Sequence, residues 1–311
     1  MIRKILKWTG LVILFIVAGV SVATAFRQHL TYTAPYPGIK ASADTAIIAK
    51  GRRLVLGPGH CVDCHSTVKN VDSLLGRGQE PALSGGLPFK LPFGTFYTRN
   101  LTPDSATGIG GMTDGEIARV LRYSVKKNGE AVLPFMPFQN MSDDDLTAVI
   151  SYLRSIKPVK NKIPDHEYNV MGQVIKAFLI EPTGPTEPVK AVVKPDTTIA
   201  YGRHLVMAVA NCNECHTKRN GIGQYVGEPL AGGIEFEEEG KATLISPNLT
   251  PHPSGRIYGW SQQDFIKRFR MGKIIKHSHM PWESYGRMTD EELKAIYKYL
   301  KTVKPVDTNK K

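Results

Sequence analysis

Two short segments of the chain place two cysteines and a histidine at the same spacing, CVDCH at 61–65 and CNECH at 212–216. Together they use all four cysteines of the chain. C-x-x-C-H is the attachment signature of a c-type haem, in which both thiols bond to the haem and the histidine ligates its iron. The spacing suits that chemistry because cysteines three residues apart lie on one face of a helical turn. The sequence therefore predicts two covalently bound haem c groups. The predicted attachment residues and proximal ligands are Cys61, Cys64, His65, Cys212, Cys215 and His216.

Three other uses of the four cysteines have to be compared with haem attachment. A Cys₄ zinc site would use the same thiols, but it would not need a histidine after each pair. Disulfides also use an even number of cysteines, although a chain of 311 residues can bury a core without them. A thioredoxin-like C-x-x-C motif is expected within a βαβ pattern, which this sequence does not show. Haem attachment is favoured because it accounts for both histidines.

A haem iron with six ligands also needs a distal axial residue in each half of the chain. Met136 in LPFMPF and Met280 in HSHMPW occupy matching places, each in an apolar, proline-flanked segment. A thioether ligand suits haem iron and raises the potential of a cytochrome c. His277 or His279 could instead ligate the second haem, but the first half has no histidine at the matching positions. Core packing is the expected role of four other methionines, namely Met112, Met141, Met207 and Met288.

The two attachment segments belong to an internal repeat. GRRLV at 51–55 and GRHLV at 202–206 each begin ten residues before the first cysteine of an attachment segment. NLTP follows later in both copies, at 100–103 and 248–251. Asn-x-Thr is also a glycosylation acceptor, but its recurrence beside each predicted haem favours a structural turn.

Two predicted helices follow in each copy and must position these segments. Ser or Thr followed three residues later by Asp or Glu predicts an N-terminal cap. The four predicted caps are Thr113, Ser142, Ser261 and Thr289. Apolar residues at 146–153 and 293–300 recur with i, i+3, i+4, i+7 spacing, which predicts one buried face on each terminal helix. Few runs alternate as strands do, so the predicted fold class is all-α.

The N-terminus carries a candidate membrane anchor. Arg3, Lys4 and Lys7 precede an uncharged run at 8–26, which as a helix would be about 28 Å long, close to the hydrocarbon thickness of a bilayer. By the positive-inside rule, we expect a single-pass protein of the inner membrane with both haem domains on the periplasmic side. The A-x-A pattern at 23–25 offers an alternative, because a signal peptidase could cut there and leave a soluble periplasmic protein.

These observations divide the chain into six parts. The predicted parts are an anchor or signal peptide at 1–26, a tether at 27–43, a first repeat at 44–158, a linker at 159–196, a second repeat at 197–306 and a tail at 307–311. The tether is expected to lift the first repeat off the membrane. The linker contains a partly apolar stretch at 168–180, too short to span a membrane, which we expect to pack against a haem domain.

Composition limits the possible partners. Hydrophobic residues make up 41% of the chain and charged residues 22%, as in ordinary globular domains. The net charge of +12 is spread along the chain without a nucleic-acid-binding motif. A basic surface can face an acidic redox partner or anionic lipid headgroups, or can simply be solvated.

The motifs also resemble a known family. CVDCH and CNECH, with MPF and MPW downstream, resemble class I cytochrome c domains, doubled in one chain. NLTP, GIGGMTDGE and MSDDDL resemble membrane-anchored dihaem cytochromes c, related to the cytochrome subunits of bacterial alcohol and gluconate dehydrogenases. The resemblance covers residues 44–306, although those subunits usually carry three haems and this chain has motifs for two. It implies helix contacts of Gly51 with Tyr152 and of Gly202 with Tyr299, because glycine lets two backbones approach closely.

The resemblance implies an electron-transfer protein with no catalytic residues, not an enzyme. Such a protein would relay single electrons between a membrane or periplasmic dehydrogenase and a downstream respiratory acceptor. Two alternatives are a dihaem enzyme of the peroxidase or thiosulfate-oxidising type, and a terminal oxidase subunit. The enzyme would need an open or unusual distal position on one haem, and the subunit would copurify with an oxidase.

Overall fold

The computed structural model describes residues 1–220, 223–237 and 240–309. The first half of the chain contains α1 (Ile2–Arg27), α2 (Thr45–Leu56), α3 (Cys61–His65), α4 (Val71–Gly76), α5 (Asp114–Tyr123) and α6 (Asp143–Ser155). Helix α7 (Val170–Phe178) follows in the linker. The second repeat contains α8 (Ile199–His204), α9 (Cys212–His216), α10 (Gln262–Arg270), α11 (Trp282–Gly286) and α12 (Asp290–Leu300). A 3₁₀ turn at Ile109–Gly111 precedes α5, and a π-helical segment at Leu205–Val209 continues α8.

In each repeat the first helix packs tightly on the last, at a glycine. A Cβ atom on Gly51 of α2 would lie 1.8 Å from the carbonyl oxygen of Ala148 and 2.8 Å from Cβ of Tyr152, both in α6. Glycine is required there because only a residue without Cβ lets the two backbones approach so closely. The predicted pairing of Gly51 with Tyr152 is thus confirmed in the first repeat.

The second repeat has the same contact between α8 and α12. A Cβ atom on Gly202 would lie 1.9 Å from the carbonyl oxygen of Ala295 and 3.0 Å from Cβ of Tyr299. The two contacts belong to one hydrophobic core that is continuous through both repeats. The apolar faces predicted for α6 and α12 form part of it, including Leu146 and Leu293, which are fully buried.

The four predicted N-caps are confirmed. The hydroxyl of each accepts a hydrogen bond from the backbone N–H three residues later, and at three of them the acidic side chain also bonds back to the cap backbone. These bonds satisfy donors that a helix start leaves unpaired. The helices that begin directly after these caps are α5, α6, α10 and α12.

The fold is helix-rich but not entirely helical. Strands β1 (Pro88–Leu91), β2 (Gly94–Tyr97) and β3 (Glu167–Tyr168) form an antiparallel sheet in that order. β4 (Glu235–Phe236) and β5 (Leu244–Ile245) form a second antiparallel pair. The strands are only two to four residues long, too short to give a readable alternation, which is why the sequence pattern missed them.

Among the described residues, α1 is the one helix long and apolar enough to cross a membrane, and nearly all of it is exposed. The segment after it packs against the first repeat. Ile39 is buried, Ala41 N–H donates to Asp114 over 2.8 Å, and Ser42 N–H donates to the Ser151 hydroxyl over 2.8 Å. The end of the predicted tether is therefore packed on the first repeat, because its apolar side chain and its backbone donors find partners there. Whether the segment holds the repeat away from the membrane stays a prediction.

Candidate haem sites

Each attachment segment forms one helical turn, as the cysteine spacing predicts. Helices α3 and α9 begin directly after a residue in the left-handed conformation, His60 with φ 38° and Asn211 with φ 50°. None of the four cysteines forms a disulfide. Within the described part of the chain, no three His, Cys, Asp or Glu side chains converge as a metal site, whereas a zinc centre would bring together all four thiols.

The two histidines of these turns are held in the same way. His65 Nδ1 lies 2.7 Å from the carbonyl oxygen of Arg99, and His216 Nδ1 lies 2.8 Å from that of Pro247. Because a carbonyl oxygen can only accept, each Nδ1 carries the proton and donates it. The Nε2 lone pair of each ring is therefore available for a metal, the arrangement that orients a histidine ligand.

Burial sets the protonation of these groups. Burial lowers the pKa of His65 and of His216, so both imidazoles are neutral, which is the form that ligates iron. Burial raises the pKa of the Cys61 and Cys212 thiols to about 12. A neutral, oriented imidazole next to two thiols on the same helical turn fits a covalently attached haem in each repeat.

The repeated NLTP segment positions the backbone carbonyl to which each histidine donates. The Asn100 side chain accepts from Thr102 N–H over 2.9 Å and donates to the Val159 carbonyl over 2.8 Å. Asn248 makes the matching bonds to Thr250 N–H and to the Val306 carbonyl, both over 2.8 Å. The two asparagines are buried, so the prediction of a structural turn is confirmed. The turn fixes the preceding carbonyl, to which the histidine donates.

A pair of glycines in each repeat was missed by sequence reasoning. Gly85 N–H donates to the His65 carbonyl over 2.9 Å, and Gly232 N–H donates to the His216 carbonyl over 2.6 Å. Both glycines have φ near +70°, and a Cβ atom on either would lie about 2.5 Å or less from backbone oxygen. Only glycine fits there. The signal that could have revealed them is the repeated L-x-G-G at 83–86 and 230–233.

Met136 and Met280 occupy equivalent turns. The Met136 carbonyl accepts from Phe138 N–H over 3.0 Å, and the Met280 carbonyl accepts from Trp282 N–H over 2.8 Å. Both methionines are half-buried against the hydrophobic core. Their matching local structure agrees with matching roles, and distal ligation stays a prediction.

The other candidate ligands lie in different surroundings. His277 and His279 are exposed, and the His279 ring stacks on Phe236 with centroids 4.9 Å apart. The core packing predicted for Met112, Met141, Met207 and Met288 is confirmed. Met141 and Met288 are buried, and Met112 and Met207 pack against the same core.

Tyr285 of α11 contacts residues next to both attachment segments. Its ring meets the edge of His60, the residue before the first attachment turn, with centroids 5.6 Å apart and planes at 87°. Its hydroxyl donates to the carbonyl of Ala210, two residues before the second turn, over 2.6 Å. One buried side chain therefore contacts the chain beside both predicted haems.

Polar contacts extend this interface between the repeats. The Ser284 hydroxyl donates to Asp63, inside the first attachment turn, over 2.9 Å. Arg287 donates to the Leu56 carbonyl over 2.8 Å and forms an ion pair with Asp72. Helix α11, which follows Met280, is thus fixed against the first repeat.

A second group of charges lies deeper in the same interface. Asp145 of α6 contacts His204 of α8 over 2.6 Å and Lys50 of α2 over 2.5 Å. Arg53 of α2 pairs with the buried Glu292 of α12. Buried charges need such partners, and these pairs hold the two repeats in one relative orientation.

Part of the chain matches a family of known proteins. Residues 199–304 match the family model of cytochrome c. This part of the chain is thus similar to a cytochrome c domain. The match lies on the second repeat, and it includes the attachment turn at 212–216 and Met280.

Several proteins similar to the chain are named as cytochromes. The cytochrome c subunit of quinone-dependent alcohol dehydrogenase from Gluconacetobacter polyoxogenes is 32% identical over 281 residues, which cover 85% of this chain and 57% of that protein. The gluconate 2-dehydrogenase cytochrome c subunit of Pantoea cypripedii is 27% identical, covering 86% and 62%. A dihaem c-type cytochrome of Cereibacter sphaeroides is 26% identical, covering 85% and 88%. The chain thus spans little more than half of the dehydrogenase subunit from Gluconacetobacter, and the predicted resemblance to such subunits is confirmed.

Proposed function

We propose that the chain binds two haem c groups and relays single electrons between a membrane or periplasmic dehydrogenase and a downstream respiratory acceptor. Bound haem supplies the one-electron oxidation and reduction, while the protein excludes water and fixes the iron ligands. The residues that would hold the two haems are Cys61, Cys64, His65 and Met136 in the first repeat, and Cys212, Cys215, His216 and Met280 in the second.

One observation carries this proposal: both repeats hold the histidine in the same way. In each, Nδ1–H is bonded to a backbone carbonyl and Nε2 is left available. Each repeat also offers a methionine in an equivalent turn. Two fixed protein ligands at each site favour a relay over substrate turnover, because an enzyme needs a coordination position that substrate can reach.

The nature of the partners is proposed from two facts. The relatives named above include cytochrome c subunits of alcohol and gluconate dehydrogenases, which supports a dehydrogenase as the electron donor. The contacts of Tyr285 with His60 and Ala210, which lie beside the two attachment segments, support transfer between the two sites within one chain. Part of the net charge of +12 would face an acidic redox partner.

We further propose that α1 stays on the mature protein as a single inner-membrane anchor, with both repeats in the periplasm. Its 26 residues correspond to about 39 Å, more than the hydrocarbon core requires. Edman sequencing of the purified protein tests this. A mature N-terminus at Phe26 would show cleavage after Ala25 and a soluble periplasmic protein.

Carbon monoxide binding to the reduced protein tests the relay. Two closed sites predict slow or absent binding, together with rapid reduction by a membrane dehydrogenase. Rapid stoichiometric binding to one haem, with turnover of peroxide or thiosulfate, would contradict the relay and indicate a dihaem enzyme. Stable copurification with oxidase subunits would instead indicate a terminal oxidase component.

A further inference from the structure

Helix α7 in the linker presents an apolar face that the rest of the chain leaves uncovered. Val170 is 80% exposed, Met171 56% and Phe178 38%. At 100° per residue these side chains, with the half-buried Val174 and Ile175, fall within an arc of about 140° on one side of the helix. An apolar face of this width is normally buried, so we expect a protein or a membrane to cover it.

The opposite face of α7 is fixed to the first repeat. Gly172 abuts the loop between β1 and β2, where a Cβ atom would lie 2.0 Å from the Phe93 carbonyl oxygen. The Asn169 side chain caps the helix and also donates to the Pro92 carbonyl over 2.8 Å. The stretch at 168–180 was predicted to pack against a haem domain, and it does so through this face of α7 only. The orientation of α7, with its apolar side outward, is set by the fold.

The end of the candidate membrane span lies directly beside α7. Arg27, the last residue of α1, donates from Nε to the Ala177 carbonyl over 3.1 Å, and its guanidinium lies 5.1 Å from the centre of the Phe178 ring. If α1 spans the bilayer, Arg27 reaches the headgroup layer and brings α7 with it. The location of α7 thus rests on the anchor proposed above.

The charge of α7 also suits a lipid surface. Its one charged residue, Lys176, lies on the side of the helix away from the apolar arc, where Nζ is 3.9 Å from Glu130 and 5.6 Å from the centre of the Tyr168 ring. No acidic residue occurs between 168 and 180, so nothing in α7 repels anionic headgroups. A short helix with one apolar side and no acidic charge, held at the end of a span, shares its apolar side with interfacial helices, although it has one lysine where those helices carry many basic residues.

We propose that α7 lies in the membrane–water interface, with Val170, Met171 and Phe178 among the lipid headgroups and upper acyl chains. The first repeat then has two attachments to the membrane, α1 and α7. One helix alone would let the repeat rotate about the anchor, whereas two attachments fix which side of the repeat faces the bilayer.

Nitroxide labels on the full-length haem-loaded protein test the proposal. The protein is placed in nanodiscs of phosphatidylcholine and phosphatidylglycerol, and electron paramagnetic resonance compares the accessibility of each label to oxygen and to a nickel chelate. The labelled variants are Met171→Cys on the apolar face, Gln173→Cys as the matched control, and Ile16→Cys in α1 as a reporter of the anchor. Gln173 is exposed but lies outside the apolar arc. An unchanged Soret spectrum checks that each variant is folded.

We expect the oxygen-to-nickel ratio to be several-fold higher at 171 than at 173, and high at 16. Equal, water-like ratios at 171 and 173 with a lipid-like ratio at 16 would overturn the interfacial helix and leave the anchor intact. A water-like ratio at 16 would show that α1 does not span the membrane, and the interfacial position of α7 would be overturned with it. Protection of 171 that appears only when a dehydrogenase is added would show that a protein covers this face.

Discussion

The glycines where the first and last helices of each repeat meet allow a quantitative prediction. In Gly51→Ala the new methyl group would lie 1.8 Å from the Ala148 carbonyl oxygen, whereas ordinary contacts begin at 3.4 Å. Helices α2 and α6 would have to separate by about 1.6 Å, which weakens the dispersion contacts along their whole interface. Overpacking typically costs about 1–3 kcal/mol, and the higher helix propensity of alanine returns at most about 1 kcal/mol. We expect a net loss of about 2 kcal/mol in the free energy of unfolding.

The same reasoning applies to Gly202→Ala in the second repeat, and a third glycine provides a control. Gly115 lies in the first turn of α5, and a Cβ atom there would meet nothing closer than the Pro37 carbonyl oxygen at 3.6 Å. Gly115→Ala should therefore be neutral or slightly stabilising. Urea titration of the haem-loaded proteins, followed by circular dichroism and Soret absorption, measures all three. The reasoning is refuted if Gly51→Ala and Gly202→Ala unfold at the same urea concentration as the control.

Three further predictions concern single side chains. Tyr285→Phe leaves a buried carbonyl without its donor and should lower the free energy of unfolding by about 1–3 kcal/mol in urea titration, whereas an unchanged midpoint would reject that bond. Replacing Met136 or Met280 by His should remove part of the weak near-infrared band of methionine-ligated ferric haem, and an unchanged band would exclude that residue as a ligand. Burial alone would raise the pKa of Asp145, but hydrogen bonds from His204 and a lysine lower it overall. The ionised carboxylate therefore contributes to the free energy of unfolding above the ordinary pKa of 3.8, and this contribution is lost as pH falls through the lower pKa of the folded state. The stability difference between the wild type and Asp145→Asn, measured by urea titration from pH 7 to 3, should therefore shrink below about pH 4, and a constant difference would contradict this.

Local features of the fold could be predicted from the sequence because short-range rules govern them. The cysteine spacing predicted the helical turns at 61–65 and 212–216, and cap residues such as Thr113 predicted the starts of four helices. The contact of Gly51 with Tyr152 was found through family resemblance, and the close approach of the backbones gives its physical reason.

Features that depend on long-range contacts could not be predicted in this way. Asp145 was predicted only as part of a helix start, and nothing near it in the sequence indicates that His204, 59 residues away, will lie beside it. The roles of Gly85 and Gly232 depend on the histidine carbonyls to which they donate, which are distant in sequence. The packing of segment 28–43 was missed because proline and glycine signal a loop but not what the loop covers.

The haem content of the purified protein tests the central claim most directly. A pyridine haemochrome assay combined with intact-protein mass spectrometry should give two covalent haems per chain, because each attachment turn has its own pair of cysteines. The double variant Cys212→Ala/Cys215→Ala should retain one haem, on the first repeat. One haem per wild-type chain, or zinc in place of haem, would contradict the account.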